Sequence, residues 1–325
     1  MASRINLPER EILFKHLALN TPKGEIAKIL KRHRSALYKE INRIPGQYSP
    51  STAQSDACLK SKNSKKTIKL QNEELQKFVK SKILELWSPE QISGRLKLLY
   101  PNNPKMNVST ETIYRFIYNL EDEVEKTKLI KHLRRRKKKR HSRKNKTQKR
   151  GKIFNMKSIH ERPQSVETRV DLGHWEGDLI IGKDHKSAIG TLVERKTRFT
   201  LIVDLLNGKD SKETVEAFID EFERMPPCLK KTLTYDRGTE MSYHARLTTA
   251  TGVEVYFADP HSPWQRGSNE NTNGLIRTFY PKGTDFSNYS EEDLKVVQNS
   301  LNNRPRKVLK FLTPIEFLQA NNVNL

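Results

Sequence analysis

The sequence predicts a multidomain chain, an all-α front joined to an α/β back half. Three observations predict it. Apolar residues recur at helical spacing through the first 130 positions. From about residue 170 the pattern changes to short runs rich in β-branched and aromatic residues, alternating with amphipathic helical stretches. Charge divides near the same place: of a formal net +23, residues 1–152 hold 38 Lys and Arg against 14 Asp and Glu, whereas residues 153–325 hold 23 against 24. A polycationic front on a nearly neutral unit points to a nucleic-acid substrate; anionic lipid and ribosomal RNA are the other partners this composition admits.

Composition narrows the class further. The 325 residues suffice for two or three domains. Cys58 and Cys228 are the only cysteines and lie in different halves, which argues against a disulfide framework and for a reducing compartment. No Cys or His cluster has zinc-site spacing. No apolar run approaches the ~20 residues of a membrane span, and the N-terminus lacks a signal-peptide apolar segment. The expectation is a soluble cytoplasmic protein with no membrane partner.

Residues 1–44 read as a helix-turn-helix domain. Pro8 to Leu19 forms a first helix. Thr21 and Pro22 read as N-cap and first position of a second helix carrying Ile26, Ala27, Ile29 and Leu30. Residues 31–34 break it, and Ser35 caps a third helix with Leu37, Tyr38 and Ile41. Two short helices across a tight turn let the later one enter a major groove. Arg32, Arg34, Ser35, Lys39 and Arg43 are then the candidate DNA contacts; the plainer alternative is a small bundle unrelated to DNA. Residues 45–67, rich in Pro, Ser, Asn and Lys, read as a linker.

Residues 68–130 form a further helical region, with a helix over 68–86. Ser88 with Gln91 is a capping box with Pro89 at the first helical position, and Ser109 starts another helix. A second helix-turn-helix and a helical spacer both fit. Residues 131–165 read as a basic linker, because the run from Arg134, Arg135 and Arg136 to Arg140 repels itself and buries no core. Its readings are a solvated tether and a DNA-phosphate contact ordered on binding.

Residues 166–325 read as one α/β unit with a helical tail. Asp178 to Gly182 is a strand, Ala188–Glu194 and Phe199–Leu206 a hairpin pair, and Thr214–Met225 a helix. Lys231–Tyr235 is a fourth strand ending at Asp236, Arg246–Thr251 the end of a helix, Val253–Phe257 a fifth strand, and Ser268–Thr278 a helix. Three strands, helix, strand, helix, strand, helix is the order of a ribonuclease-H-like α/β fold.

Three acidic residues sit in distinctive settings: Asp178 in Gly-His-Trp-Glu-Gly-Asp, Asp236 in Thr-Tyr-Asp-Arg-Gly and Glu270 in Gly-Ser-Asn-Glu-Asn. Asp178 and Asp236 lie side by side if the first and fourth strands are neighbours. The 33 residues between Asp236 and Glu270 hold a helix, a strand and a loop, enough to return the chain to the site. Carboxylates so placed suit Mg²⁺ or Mn²⁺, and two such ions about 3.5–4 Å apart serve in-line phosphoryl transfer. For any one carboxylate the plain reading is a surface residue. Glu176 shares a strand face with Asp178 and is a supporting group or an alternative ligand; Glu240, past the strand, competes weakly.

These motifs, with Ala258-Asp259-Pro260-His261-Ser262-Pro263-Trp264-Gln265-Arg266-Gly267 leading into the Glu270 helix, resemble the DDE transposases of bacterial insertion sequences, most of all the insertion-sequence family numbered thirty. The likeness spans the N-terminal helices, basic middle and integrase-type core. It implies a triad of Asp178, Asp236 and Glu270 holding two Mg²⁺ ions, with Mn²⁺ as a substitute. It implies cleavage that exposes a 3′-OH, strand transfer by that hydroxyl, recognition of terminal inverted repeats in double-stranded DNA, and a homo-oligomer acting on target DNA at the nucleoid. His261 and Trp264 are placed to position DNA or the helix, with packing the alternative for Trp264. Arg266 and Arg277 are candidate phosphate contacts, and His174 reads as a structural neighbour of the first strand. A repressor with a vestigial core and a nuclease without strand transfer are the competing readings.

Overall fold

The structure, a computed structural model, describes residues 5–64, 70, 72–133, 153–205, 208 and 210–324. It divides into two compact units, Met1–Gln71 and Asn72–Leu325.

The first unit holds α1 (Leu7–Ala18), α2 (Lys23–Ile29), α3 (Arg34–Ile41) and α4 (Pro50–Ser64). Leu13, Ile26, Leu37, Tyr48 and Ala53 close one core. Two expected caps are replaced. Thr21 does not cap α2, whose N-cap is Pro22 without a side-chain bond. Ser35 lies inside α3, where its backbone N–H donates to the cap residue His33. The turn between α2 and α3 lacks glycine; Lys31 takes the left-handed conformation, φ 51°, at a cost of ~1–2 kcal/mol. Residues 45–67 are not a linker throughout, since 50–64 form α4. Composition misled there: exposed Ser and Lys cover a helix whose Ala53 and preceding Tyr48 are buried.

The second unit opens with α5 (Glu73–Leu84), α6 (Pro89–Leu99), α7 (Thr110–Tyr118) and α8 (Glu123–His132). The Ser88/Gln91 capping box and the Ser109 cap are present. These helices are not an independent spacer: Arg95 pairs with Glu316, and Gln91 donates to the Pro305 carbonyl at 2.9 Å. The expected linker over 131–165 also ends early. β1 (Lys157–Ser158) joins the sheet edge, and α9 (Ser165–Thr168) follows with Val166 buried. Arg134, Arg135 and Arg136 lie outside the described residues.

The sheet uses β2 (His174–Ile181), β3 (Ala188–Glu194) and β4 (Thr200–Asp204), then α10 (Ser211–Glu223), β5 (Thr232–Tyr235), α11 (His244–Thr251) and β6 (Glu254–Phe257). Then come α12 (Gly267–Phe279), α13 (Glu291–Asn302) and α14 (Pro314–Ala320). Strand order is β1-β6-β5-β2-β3-β4; β2, β3 and β4 are antiparallel, and β5, β6 and β1 run parallel to β2 or to one another. This is the ribonuclease-H-like order with one short strand added at the edge.

Period-two alternation divides the core. Trp175, Leu233, Tyr235, Val255 and Phe257 face one way, against Phe218 and Phe222 of α10 and Leu247 of α11. Ile180, Ile189 and Ile202 face the other, against Leu275 and Ile276 of α12 and Leu294 and Leu301 of α13. Glu176 and Asp178 are four and two residues before Ile180, so they face α12.

Candidate active site

Asp178 is in the body of β2, and Asp236 is the first residue after β5. The two strands pair in parallel with His174 opposite Thr232 and Glu176 opposite Thr234. Carried two residues further, that register sets Asp178 and Asp236 side by side on the α12 face. The approach of β5 requires Gly177: a Cβ there would meet the buried Tyr235 ring at 2.7 Å.

One guanidinium bridges the pair. Arg266 Nη1 lies 3.5 Å from Asp178 Oδ1, and Nη2 lies 3.1 Å from Asp236 Oδ2. Nη1 also donates to the Gly177 carbonyl at 2.7 Å, and the group lies 5.9 Å from the Tyr235 ring centroid. Burial acts to lower the Arg266 pKa, but the fields of Asp178 and Asp236 outweigh it and the net shift is upward. Burial raises the Asp178 carboxyl above its ordinary value, with Arg266 opposing and Asp236 adding. Arg266 is therefore the counter-ion of the acidic pair in this structure, a role that competes with the phosphate contact expected of it.

Helix α12 supports Asp178 from above. Asn273 Nδ2 donates to Asp178 Oδ2 at 2.9 Å, and the Leu179 N–H donates to Oδ1 at 3.0 Å. Asp236 Oδ1 accepts from the Gly238 N–H at 3.0 Å. Glu270 is exposed in the first turn of α12. It is four residues after Arg266 and three before Asn273, spacings that place it on their side of the helix. Among the described residues, no three Asp, Glu, His or Cys side chains form one metal-sized group; the structure pairs the two aspartates and leaves Glu270 at the rim.

Glu176 is fully buried and turned to support. It pairs with Arg195 at 2.8 Å, accepts from the Asn269 N–H at 2.9 Å, and its carbonyl accepts from Asn269 Nδ2 at 2.9 Å. An interior carboxylate thus binds the first turn of α12, where helix N–H groups lack intrahelical partners. Arg195 also reaches Glu167, which pairs with Arg162, and Arg162 donates to Thr234 Oγ1 at 2.6 Å. His174 is buried against Thr232 Oγ1 at 2.9 Å, and burial takes its pKa down to about 4.

Beside the pair lies a cavity of about 490 Å³ lined by Asp178, Asp210, His185 and Glu240. Burial raises the Glu240 carboxyl, with Asp236 and Asp178 adding to the shift, so Glu240 stands nearer the centre than its loop position implied. The loop into α12 is pinned by Arg237 Nε to the Ala258 carbonyl at 3.1 Å and by Gln265 Nε2 to Asp259 at 2.9 Å. His261 is exposed with a left-handed backbone, φ 60°. Trp264 is 73% exposed, so packing does not account for it. Arg277 donates to the Ile181 carbonyl at 2.7 Å. Sequence reasoning missed the roles of Asn269 and Asn273 and the bridging role of Arg266; the i, i+4 spacing of the two asparagines on either side of Glu270 was the available signal.

In the first unit, Arg32 pairs with Glu9 at 2.9 Å, and Arg43 pairs with Glu40 at 2.7 Å and Asp56 at 3.3 Å. Both therefore serve that unit's internal ion pairs, which competes with the DNA contacts expected of them. Arg34, Ser35, Tyr38 and Lys39 share an exposed face of α3, with Lys23 4.9 Å from the Tyr38 ring centroid.

Residues 170–263 match the integrase core domain family. The transposase InsI of insertion sequence element IS30A from Escherichia coli (strain K12) is 44% identical over 323 residues, covering 98% of this chain and 84% of that protein. The transposase of IS1086 from Cupriavidus metallidurans is 43% identical over 90% of this chain and 87% of its own length. That of IS4351 from Bacteroides fragilis is 36% identical over 100% and 98%. With these identities along nearly its whole length and an integrase core at its centre, the chain belongs to the IS30 family of insertion-sequence transposases.

Proposed function

We propose that the chain cuts and rejoins double-stranded DNA at the ends of its own element, with Asp178, Asp236 and Glu270 as its acidic centre. The observation that carries this reading is the convergence of Asp178 and Asp236 from neighbouring parallel strands under a single guanidinium. A place that holds a cation between two hard oxygen donors fits Mg²⁺, or Mn²⁺ as a substitute. The three acids are the groups that would hold two such ions, which when bound supply charge stabilisation to the attacking and leaving oxygens.

The chain's own groups set the geometry. Asn273 and the Leu179 N–H orient the Asp178 carboxylate, and the Gly238 N–H orients Asp236. The buried Glu176–Arg195 pair fixes the helix that carries Glu270. Water hydrolyses a phosphodiester at the element's end to a 3′-OH and a 5′-phosphate. That 3′-OH attacks a second phosphodiester at the other end or in target DNA, forming a new P–O bond as the old P–O3′ bond breaks and its oxygen leaves as a 3′-OH, so no covalent protein–DNA intermediate forms. We assign recognition of the terminal inverted repeats to a helix-turn-helix made by α2 and α3, with Arg34, Ser35, Tyr38 and Lys39 as the groove-facing set. A homo-oligomer bringing two ends together completes the reading.

The test uses purified wild-type and Glu270→Gln protein, Mg²⁺, and a plasmid carrying the gene's flanking repeats. Joined-end and inserted products from wild type alone are expected. Cleavage that survives Glu270→Gln would move the third acid to Glu240. Binding without cutting by both proteins would point to a repressor.

A further inference from the structure

A large aromatic side chain stands uncovered near the bridge across the acidic pair. Trp264 is 73% exposed, and among the described residues it has no hydrogen-bond, ring or cation partner. It lies in the 3₁₀ turn Pro263–Arg266, two residues before the guanidinium that spans Asp178 and Asp236. At about 2 Å of rise per residue, the two positions are about 4 Å apart along the axis of the turn. An indole left in water there adds nothing to the core, and its flat apolar face suits a flat partner.

The turn that carries it is firmly held. Gln265 makes a double contact with Asp259: its Oε1 accepts from the Asp259 N–H at 2.7 Å, and its Nε2 donates to Asp259 Oδ2 at 2.9 Å. The Gln265 N–H donates to the Ser262 carbonyl at 3.1 Å, and the Ser262 N–H to the Asp259 carbonyl at 3.3 Å. Arg266 Nη1 donates to the Gly177 carbonyl at 2.7 Å, and Arg237 Nη2 donates to Asp259 Oδ1 at 3.4 Å. Pro263 fixes its own φ just before the indole. The backbone at Trp264 is therefore set in advance while its side chain is uncommitted, which lowers the cost of ordering it on a ligand.

The proposed function indicates which ligand. A strand whose phosphate reaches Asp178 and Asp236 brings the neighbouring nucleotides, about 3.4 Å apart along a stacked strand, to the same surface. Every base has a π face, and an aromatic side chain stacks on it with little regard to sequence. In an intact duplex those faces are hidden, so an indole reaches one only where a base step has opened. We propose that Trp264 stacks on an unpaired nucleobase within about two nucleotides of the reacting phosphate, holding the duplex open there and fixing the strand over the acids. This rests on the DNA-processing function proposed above.

A double-mutant cycle between indole and base tests it. Full-length wild type, Trp264→Phe and Trp264→Ala are compared on duplexes of the element's end. One duplex is intact, and each of the others lacks a single base at one position flanking the cleaved phosphate. Affinity and single-turnover cleavage in Mg²⁺ are measured. Base–aromatic stacking corresponds to about 5- to 150-fold in affinity. Trp264→Ala should lose a factor in that range on the intact duplex and on every other duplex but one. Its penalty should vanish where the missing base is the one that stacks, and Trp264→Phe should keep most of the wild-type affinity throughout. A penalty equal at every position overturns the inference; a smaller assembly in light scattering would then make Trp264 a contact between copies. No penalty on the intact duplex overturns it as well. Wild type alone supplies a second reading: 2-aminopurine at the stacking position should change in fluorescence on binding, and unchanged fluorescence at every flanking position overturns the inference whether or not a variant folds. If wild type neither binds nor cuts the intact end, the proposed function has failed and this inference with it.

Discussion

Replacing Arg266 by Gln should destabilise the second unit and make it depend on an added divalent cation. The guanidinium is 14% exposed and its partners, Asp178 and Asp236, are 30% and 36% exposed. Breaking a fully buried pair costs about 3–5 kcal/mol and an exposed one about 0–1. This half-buried bridge lies between, at about 2 kcal/mol, or a loss of about 4–8 °C in Tm for a unit of this size. The assay is thermal melting at pH 7.5 in EDTA and in rising Mn²⁺. In wild type a cation must displace the guanidinium; in the variant it need not. Half-maximal stabilisation should therefore move to Mn²⁺ lower by up to about 30-fold, the equivalent of 2 kcal/mol. The pH dependence has a definite sign. The Asp178 carboxyl is raised above its ordinary 3.8 by burial, so its ionised form disfavours folding, fully so above the folded-state pKa. Removing Arg266 raises it further, and the variant's deficit should narrow as pH falls through the raised Asp178 pKa toward the ordinary carboxylate value. A variant that melts with wild type in EDTA refutes the bridging role. One that melts lower but gains nothing extra from Mn²⁺ makes Arg266 a packing residue over Tyr235.

Three further outcomes follow from other parts of the structure. His174 is neutral and buried, with its pKa down at about 4 from an ordinary 6.5. Stability is then lost as pH falls from 6.5 toward 4, by up to about 1.4 kcal/mol per unit; His174→Gln should flatten that limb of a urea-unfolding series, and an unchanged limb would clear His174. Gly177→Ala forces a Cβ within 2.7 Å of Tyr235 and should cost about 1–3 kcal/mol along with strand cleavage; a wild-type Tm would contradict the close approach. Arg34→Gln with Lys39→Gln should weaken binding to the element's ends in a mobility-shift assay while sparing Tm, since both side chains are exposed; undiminished binding would remove α3 from recognition.

The catalytic unit was legible because its signals are periodic. The runs ending at Ile181, Glu194, Tyr235 and Phe257 are strands, and the alternation through Glu176, Asp178 and Ile180 gives their common face. The adjacency of β2 and β5, on which the acidic pair depends, was read as a condition on topology, and the strand order meets it. Other features were not legible where residue type carried less information than context. Arg32, Arg43 and Arg266 have the chemistry of phosphate contacts, but each has a carboxylate nearby that only the fold supplies. Helix α4 was hidden because a stretch of Pro, Ser, Asn and Lys in the sequence looks like a tether unless Ala53 is known to be buried. The caps of α2 and α3 were missed because Thr21 and Ser35 are good capping types one or two positions from where the backbone turns.

Helix α12 explains why one short stretch of sequence carries so many separate constraints. With 3.6 residues per turn, its positions are divided among faces. Asn269 and Asn273, one turn apart, meet Glu176 and Asp178 on β2. Glu270 sits next to them at the rim, Leu275 and Ile276 enter the apolar core, and Arg277 reaches the Ile181 carbonyl. The acid has no tie of its own to the strands among the described hydrogen bonds; its position is inherited from Asn269 and Asn273 on either side. A one-residue shift of the helix would turn Glu270 by about 100° and break both asparagine contacts. The pairing of a fully buried carboxylate with the first turn of α12 therefore does more than stabilise: it sets the rotation of the helix, and through it where Glu270, the third acid of the proposed centre, stands relative to Asp178 and Asp236. Placement of the proposed acidic centre thus depends on Glu176 and Arg195, residues that never need to touch DNA.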